Sequence, residues 1–401
     1  MTAGIRELCL SKTEIMKAAI ITERMDVALG GAERSVSEMA KGLGENGIEV
    51  HILAASGQST SENVHILCDN KQAKRCSFPT FTKAIKKHLE QNHYDIVHSV
   101  VPFEAADIYQ PRGGSYIEAA RRNADSYSGQ FLRCYKKLTA FGNLRRSCLL
   151  HAEKKLCVKQ NGPVVAALSE YVRQQFKQHY KLDDKRLIVI ANGVETDKPT
   201  NTEAIGKLKT QIFAEAGVSQ TDEPIFFLFA ANNFRLKGLA VLLKALHRAK
   251  AKNVYLVAAG KGRKYKYHRL AEKLGVSDKL IFVGGVGNIQ NALAITDVAI
   301  LPTFYDPASR FILEALAVNK PVITTRFNGA VDLFVNNRHG IVVDNPENIL
   351  ALTQAITYFS SRENMQKASE AIAADNLKEK ISINRVVKEL IAVYESIMEN
   401  K

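Results

Sequence analysis

The sequence predicts an α/β protein built from two doubly wound domains. Three observations carry that prediction. Short apolar runs alternate with amphipathic stretches along most of the chain, the pattern of parallel strands covered by helices. A strand, a glycine pair, a helix, a turn and a second strand open the pattern, and after a polar interval a second series of the same kind begins at Ile225. A chain of 401 residues also exceeds what one ordinary core accommodates. The expected division is an extension over 1–16, a first domain over 17–205, a second over 206–380, and a terminal helix over 381–401 that packs back on the first domain.

Met1–Lys17 has no apolar run ending in a small-residue cleavage site, so it reads as a short extension rather than a signal peptide, with Met16 a candidate start. Lys17–Thr22 is the first strand and leads into Val27-Ala28-Leu29-Gly30-Gly31. Ala32–Leu43 repeats apolar residues at helical spacing, Asn46-Gly47 turns the chain, and Glu49–Ala55 is the next strand. This is a βαβ unit, and helix-start amides behind paired glycines admit a phosphate closely. The same glycines also serve a plain tight turn.

Tyr94–Val101 is a buried strand, and Pro102–Tyr116 reads as a loop carrying Asp107, Arg112, Gly113 and Gly114 beyond a strand end, where ligands of such sheets bind. His98 is either an acceptor contact or a hydrogen-bonded core histidine. Arg121–Lys159 holds ten basic and two acidic residues, with Phe131, Tyr135, Leu138, Phe141, Leu144, Cys148 and Leu149 at helical spacing. Such a helix lies on an anionic membrane surface or packs its apolar stripe inward under a solvated basic face. Pro163–Leu168 and Leu187–Ile190 complete the first series of strands, with Ser169 a helix cap between them. The polar stretches Thr196–Lys207 and Gln220–Pro224 bracket the connection between domains.

The second series has strands at Ile225–Ala230, Val254–Ala259, Leu280–Val283, Val298–Leu301 and Val322–Thr325, with helical stretches at Leu239–Ala249, Tyr267–Leu274 and Ile289–Ile295. Arg235 and Lys237 stand in its first strand-to-helix turn, where cations and a helix start meet a phosphate. Asp306 lies at the mouth of another such turn, and Glu314 follows two turns into the next helix. Gly284-Gly285-Val286-Gly287 does not complete a dinucleotide fingerprint, which argues against an oxidoreductase.

Composition narrows the rest. Hydrophobic residues make up 46% of the chain, as in globular proteins, and there is no run of 18 apolar residues. Six cysteines without a CxxC pair fit reduced thiols better than a disulfide or zinc framework. A net charge of +14 calls for an anionic partner. Nucleic acid is disfavoured, since no nucleic-acid-binding motif accompanies the charge.

Taken together, the glycine pair, the basic turn at Arg235–Lys237 and the D-x7-E pair resemble retaining glycosyltransferases of family 4, with the GT-B fold of two Rossmann-like domains facing across a cleft. Within that family the stretches GGAERSVSEMAKGL, AADIYQPRGGSYIEA, EKLGVSDKLIFVGG and LEALAVNKPVITT are most similar to a lipopolysaccharide core glucosyltransferase. The resemblance implies that Asp306 holds the transferred hexose and Glu314 the ribose. It sets the amides of Ser309, Arg310 and Phe311 around the diphosphate, with Lys237 and Arg235 stabilising the departing charge. Gly30 and Gly31 close on the donor, Val286 lies at the nucleobase, Asp107 lies near the reacting centre, and His98 and Arg112 belong to the acceptor side.

The implied donor is a nucleotide sugar, UDP-glucose first, with mannosyl or N-acetylglucosaminyl transfer and a non-catalytic scaffold as alternatives. The implied acceptor is a lipopolysaccharide core or related glycolipid. Neither metal nor cofactor is implied, and the implied location is cytoplasmic, peripheral on the inner membrane. Asp306 is one methylene shorter than the family's usual glutamate, and Ser309 replaces a common glycine. Arg235 stands two residues before the lysine, where many relatives have arginine at the position of Asn232. Asp332 replaces a frequent glutamate.

Overall fold

The computed structural model describes residues 15–26, 30–59, 61–68 and 76–401. Most of the expected extension, with Cys9, and residues 27–29 of the glycine-pair loop lie outside them, as does the side chain of Phe141.

Two parallel sheets form among the described residues. The first contains β1 (Lys17–Met25), β2 (Glu49–Gly57), β3 (Val64–Ile66), β4 (Ile96–Ser99), β5 (Ile108–Tyr109), β6 (Val164–Ala167) and β7 (Leu187–Val189), in the order β3-β2-β1-β4-β5-β6-β7. Its helices are α1 (Gly31–Glu45), α2 (Phe78–Gln91), α3 (Tyr116–Asp125), α4 (Gln130–Leu138), α5 (Leu144–Val158) and α6 (Glu170–Tyr180). The second domain begins with α7 (Thr202–Ala216) and has β8 (Ile225–Ala230), β9 (Val254–Ala259), β10 (Leu280–Gly284), β11 (Val298–Leu301), β12 (Val322–Thr325) and β13 (Gly340–Val343), in the order β10-β9-β8-β11-β12-β13. With it go α8 (Leu239–Ala249), α9 (Tyr265–Leu274), α10 (Ile289–Leu293), α11 (Arg310–Leu316), α12 (Ile349–Tyr358), α13 (Arg362–Ala374) and α14 (Leu377–Lys380), and α15 (Ile383–Glu399) ends the chain.

Alternation along the strands sorts the first domain's core into two layers. Ala18 and Ile20 of β1, with Ile96, Ile108 and Ala166, face α1 and α15. Ala19, Ile21 and Leu53 face α2 on the other side, where Phe81 and Ile85 cover them. Tyr109, Val165 and Ala167 meet α5 and α6 through Leu156 and Phe176. The returning helix α15 is therefore part of the first domain: Val386, Val387, Leu390 and Tyr394 are buried in its core. A backbone pairing fixes the crossing, with Val194 N–H donating to Ile381 O at 2.9 Å and Ile383 N–H to Val194 O at 2.9 Å.

Three short strands have no counterpart among the sequence expectations: β3, β5 and β13. β3 and β5, with three and two residues, carry too little alternation to register as period-2 patterns. Thr202–Ala216 is a helix capped by the Asn201 side chain, so the polar stretch read as connection to Lys207 is already helical and lies against the second domain. The basic segment 121–159 is not one helix. It breaks at Gly129, whose φ is 85°, and again at the 3-10 turn Thr139–Gly142, before Asn143 caps α5. Among the described residues no helix is long and apolar enough to cross a membrane. Cys68, Cys76, Cys134, Cys148 and Cys157 are free thiols.

Candidate active site in the interdomain cleft

In parallel sheets the strand C-termini all point one way, and the two sheets bring those edges together. The loop after β11 contributes Asp306, and the turn after β8 contributes Lys237. The Lys237 ammonium donates to Asp306 Oδ2 at 2.6 Å and to Tyr305 O at 2.9 Å. Gly238 makes that turn possible: its φ is 85°, and a Cβ there would stand 2.1 Å from Pro302 O. Two largely shielded opposite charges thus neutralise one another.

Glu314 lies on α11 and is 5% exposed. Its Oε1 is buried without a hydrogen-bond partner. Burial pushes the carboxyl's pKa up, and the nearby Arg310 guanidinium opposes this. The Arg310 guanidinium is ion-paired with that oxygen at 3.5 Å, a long contact that leaves room for a closer donor. The Arg310 guanidinium stands 3.5 Å from Glu314 and 2.8 Å from Glu38 on α1, crossing from one domain to the other. Gly31, at the start of α1, leaves room for it, since a Cβ there would lie 3.2 Å from Arg310 Cδ. At the first turn of α11 the Ser309 amide donates to Asn328 Oδ1 at 3.0 Å. The amides of Arg310, Phe311 and Ile312 open the helix ahead of its first intrahelical bond, from Leu313 to Ser309 O.

The Asp306–Ser309 loop is held from the opposite domain. Ser169 Oγ donates to Pro307 O at 2.7 Å, and Asn192 Nδ2 to Ala308 O at 3.1 Å. The Tyr305 hydroxyl reaches Gly113 O at 3.0 Å and Gln175 Oε1 at 3.1 Å. Gly114 (φ 67°) must be glycine, because a Cβ there would fall 2.0 Å from that hydroxyl. Asp332 lies in the same cross-domain seam, its Oδ2 accepting from the Glu170 amide.

The structure gathers Lys237, Asp306, Arg310, Phe311, Glu314, Gly30 and Gly31 along the cleft. Val286 follows β10 with Gly287, whose carbonyl accepts from Arg34 at 3.5 Å. Other sequence-predicted positions go elsewhere. Asp107 immediately precedes β5, at the N-terminal edge of the sheet and away from the cleft. Its Oδ2 accepts from the Val97 amide at 2.7 Å, and its Oδ1 pairs with Lys401 at 2.8 Å. It is a strand-start clasp. His98 is inside β4 and fully buried, with Nδ1 2.7 Å from the Tyr394 hydroxyl on α15. Burial pushes its pKa down to about 3, so it is a neutral core histidine and not an acceptor contact.

Arg112 turns inward, donating to Ser35 Oγ at 2.9 Å and Asn192 Oδ1 at 3.2 Å. It braces the cleft wall instead of facing an acceptor, and burial beside Arg310 lowers its pKa to about 10. Arg235 points away from Lys237. Its guanidinium bonds to Asn123 O at 2.9 Å and to Ser126 Oγ, and it stacks 3.7 Å from the Tyr127 ring. Ser309 contributes its place in the loop, not its amide. Glu38, Ser169, Asn192 and Tyr305 are site residues the sequence reading missed. Each acts through a partner more than a hundred residues away, and no local pattern signals that.

With this geometry in place, the comparisons with known proteins decide the family. Residues 29–198 match the model of glycosyltransferase family 4, and residues 211–375 match that of glycosyl transferases group 1. The chain is a GT-B glycosyltransferase. An uncharacterised glycosyltransferase of Methanocaldococcus jannaschii is 24% identical over 96% of this chain and 99% of that protein. The lipopolysaccharide glucosyltransferase WaaG of Escherichia coli is 21% identical over 65% of this chain and 67% of its own length. The crystal structure of WaaG superimposes with a TM-score of 0.73 at 16% identity, covering 94% of this chain and 99% of that one. Anabaena HepE in complex with UDP and glucose gives 0.69 at 16% identity, covering 95% of this chain and all of that one. These structural likenesses establish the GT-B fold.

Proposed function

We propose that this GT-B glycosyltransferase is a retaining, metal-independent hexosyltransferase that moves glucose from UDP-glucose onto a lipopolysaccharide core or related glycolipid. The observation that carries the reading is the Lys237–Asp306 pair at 2.6 Å, standing in the same cleft as Glu314 Oε1, which is buried and accepts no hydrogen bond. A nucleotide sugar satisfies all three groups at once. Hexose hydroxyls donate to Asp306, ribose hydroxyls donate to Glu314, and the diphosphate takes Lys237 and the free amides of α11. As the bond from the anomeric carbon to the diphosphate breaks, negative charge grows on the leaving oxygen. Lys237 is the fixed cation that stabilises it. HepE, bound to UDP and glucose, and WaaG, a lipopolysaccharide glucosyltransferase, support glucose as the first donor to test.

The proposed location is the cytoplasmic face of the inner membrane. Helix α4 supports it, because Phe131 and Leu138 are 87% and 80% exposed beside Lys136 and Lys137. An exposed apolar face with basic neighbours suits an anionic bilayer surface.

The test is a panel of UDP-glucose, UDP-galactose, UDP-GlcNAc and GDP-mannose, read by thermal shift and by transfer to a core oligosaccharide. UDP-glucose is expected to raise the melting temperature most and to be consumed. A preference for GDP-mannose or UDP-GlcNAc would replace the glucose assignment. No shift with any donor would overturn the catalytic reading in favour of a scaffold.

A further inference from the structure

Helices α2 and α5 lie side by side on one face of the first sheet, and a cavity of about 550 Å³ opens between them. Its floor is apolar: Phe78 and Pro79 at the start of α2, Pro102 beyond β4, and Ala152 on α5. Its rim is cationic. Lys83, Lys86 and Lys155 line it, and all three are exposed. Glu104 is the carboxylate there, shared between Lys155 at 2.9 Å and Lys86 at 3.6 Å. Lys83 makes no ion pair among the described residues. Pro102 and Glu104 follow β4 as it leaves the sheet at the cleft-facing edge, so the cavity opens on the side where the first domain meets its substrates.

The cavity is also joined to the exposed amphipathic helix α4. Leu144, Cys148 and Ala152 stand at i, i+4 and i+8 of α5 and so form one row along that helix. The row starts at Leu144, which is 84% exposed just past α4, and ends in the cavity. An apolar track leading from a basic surface helix into a lysine-rimmed pocket matches an amphiphile whose chain lies in the track and whose head carries negative charge. A neutral sugar leaves the floor unmatched.

We propose that the α2–α5 cavity binds a hydrocarbon chain of a phosphate-bearing lipid, with Lys83, Lys86 and Lys155 on the phosphate. This deepens the proposed function and rests on its glycolipid acceptor, for which the cavity is the lipid subsite.

The test titrates the full chain calorimetrically with monomeric dodecyl phosphate, dodecyl maltoside and inorganic phosphate, with no nucleotide sugar present. Dodecyl phosphate is expected to bind at least about tenfold more tightly than dodecyl maltoside, and millimolar inorganic phosphate is expected to leave it in place. Ala152→Trp fills the cavity and displaces several methylenes of the chain, so binding should fall more than about tenfold. Cys148→Phe, at an exposed position, should weaken it in the same direction without a risk to folding. Phe131→Ser with Leu138→Ser removes the apolar face of α4 and should leave monomer binding intact. Equal affinity for the maltoside, insensitivity to both cavity variants, or loss of binding in the α4 variant would each overturn the assignment. Donor-induced thermal shifts measured on the same variants report the transfer site separately, so failure of the cavity and failure of the glycosyltransferase reading give different results.

Discussion

Arg310 and Glu38 form an ion pair of 2.8 Å that joins the donor-side helix α11 to α1 across the cleft. Both side chains are about nine-tenths buried, at 9% and 11% exposure. Because Glu314 stands 3.5 Å from the same guanidinium, the contact that ties the domains together also neighbours the carboxylate proposed to hold the ribose. A double-mutant cycle with Glu38→Ala and Arg310→Ala measures this coupling. Residues in one charge network couple by about 0.5 to 3 kcal/mol, and the upper half of that range is expected in urea unfolding. Effects that add within about 0.5 kcal/mol would show the two residues acting independently.

Lys237 faces Asp306, and Arg235, the other cation of the same turn, is committed to Asn123, Ser126 and Tyr127. Lys237→Ala is therefore expected to lower turnover by roughly two to three powers of ten, by analogy with removing one oxyanion donor. Arg235→Ala is expected to act mainly on stability, through the lost contact with α3, and to change turnover far less. Initial rates with saturating donor separate the two. Similar losses of turnover would return Arg235 to the leaving-group site.

Glu314→Gln keeps the shape of the side chain and removes its charge. Hydrogen bonds to charged groups contribute about 1.5 to 3 kcal/mol, so donor affinity should fall by about tenfold to a hundredfold. In the proposed donor complex the carboxylate accepts from the ribose hydroxyls, and protonation removes one acceptor position. Because burial raises the pKa of Glu314, donor binding should weaken as pH falls, beginning above the ordinary glutamate range. Calorimetric titration of UDP-glucose against pH checks this, and a pH dependence shared unchanged by Glu314→Gln would assign the titration to another group.

Much of this site was legible in the sequence, and the misses have physical causes. Lys237 and Asp306 follow strands of six and four residues, and Glu314 lies on the helix after the second, so the strand end they belong to could be read directly. Asp107 was misassigned because β5 has only two residues. Unseen, it turned a residue at the start of one strand into one beyond the end of another. His98 lies between Val97 and Ser99 of β4, so its side chain points to a sheet face rather than to the strand end. What covers that face is Tyr394, 296 residues later, and only the tertiary fold brings it there. Ser169 and Asn192 support the donor loop through Pro307 O and Ala308 O, and a bond to a backbone carbonyl leaves no mark on the partner's sequence.

The contact between α15 and the first domain can be tested through the same histidine. Tyr394→Phe removes the hydroxyl 2.7 Å from His98 Nδ1 and leaves a buried ring nitrogen unpaired. Such a loss costs about 1 to 3 kcal/mol, which urea unfolding should detect, while donor affinity should stay unchanged because His98 is fully buried and bonded to α15. A fall in acceptor affinity without loss of stability would restore His98 to the acceptor site.

Glu153 supplies the clearest pH signature. It is fully buried beneath α3 and α6, accepting from the Tyr109 hydroxyl at 2.8 Å, the Tyr116 amide at 2.8 Å and the Tyr180 hydroxyl at 2.5 Å. Burial outweighs these bonds and pushes its pKa up from 4.5 to about 7. A carboxyl whose pKa is raised by folding favours the folded state fully below its unfolded pKa, and that advantage is lost as pH rises through the folded value. The window therefore runs from about pH 4.5 to 7, and the shift corresponds to roughly 3 kcal/mol. Glu153→Gln keeps an acceptor for the tyrosines and removes the ionisation. Its stability relative to the parent should improve steadily across that window and level off above it. A constant difference from pH 4.5 to 8 in chemical unfolding would mean that Glu153 does not change protonation on folding.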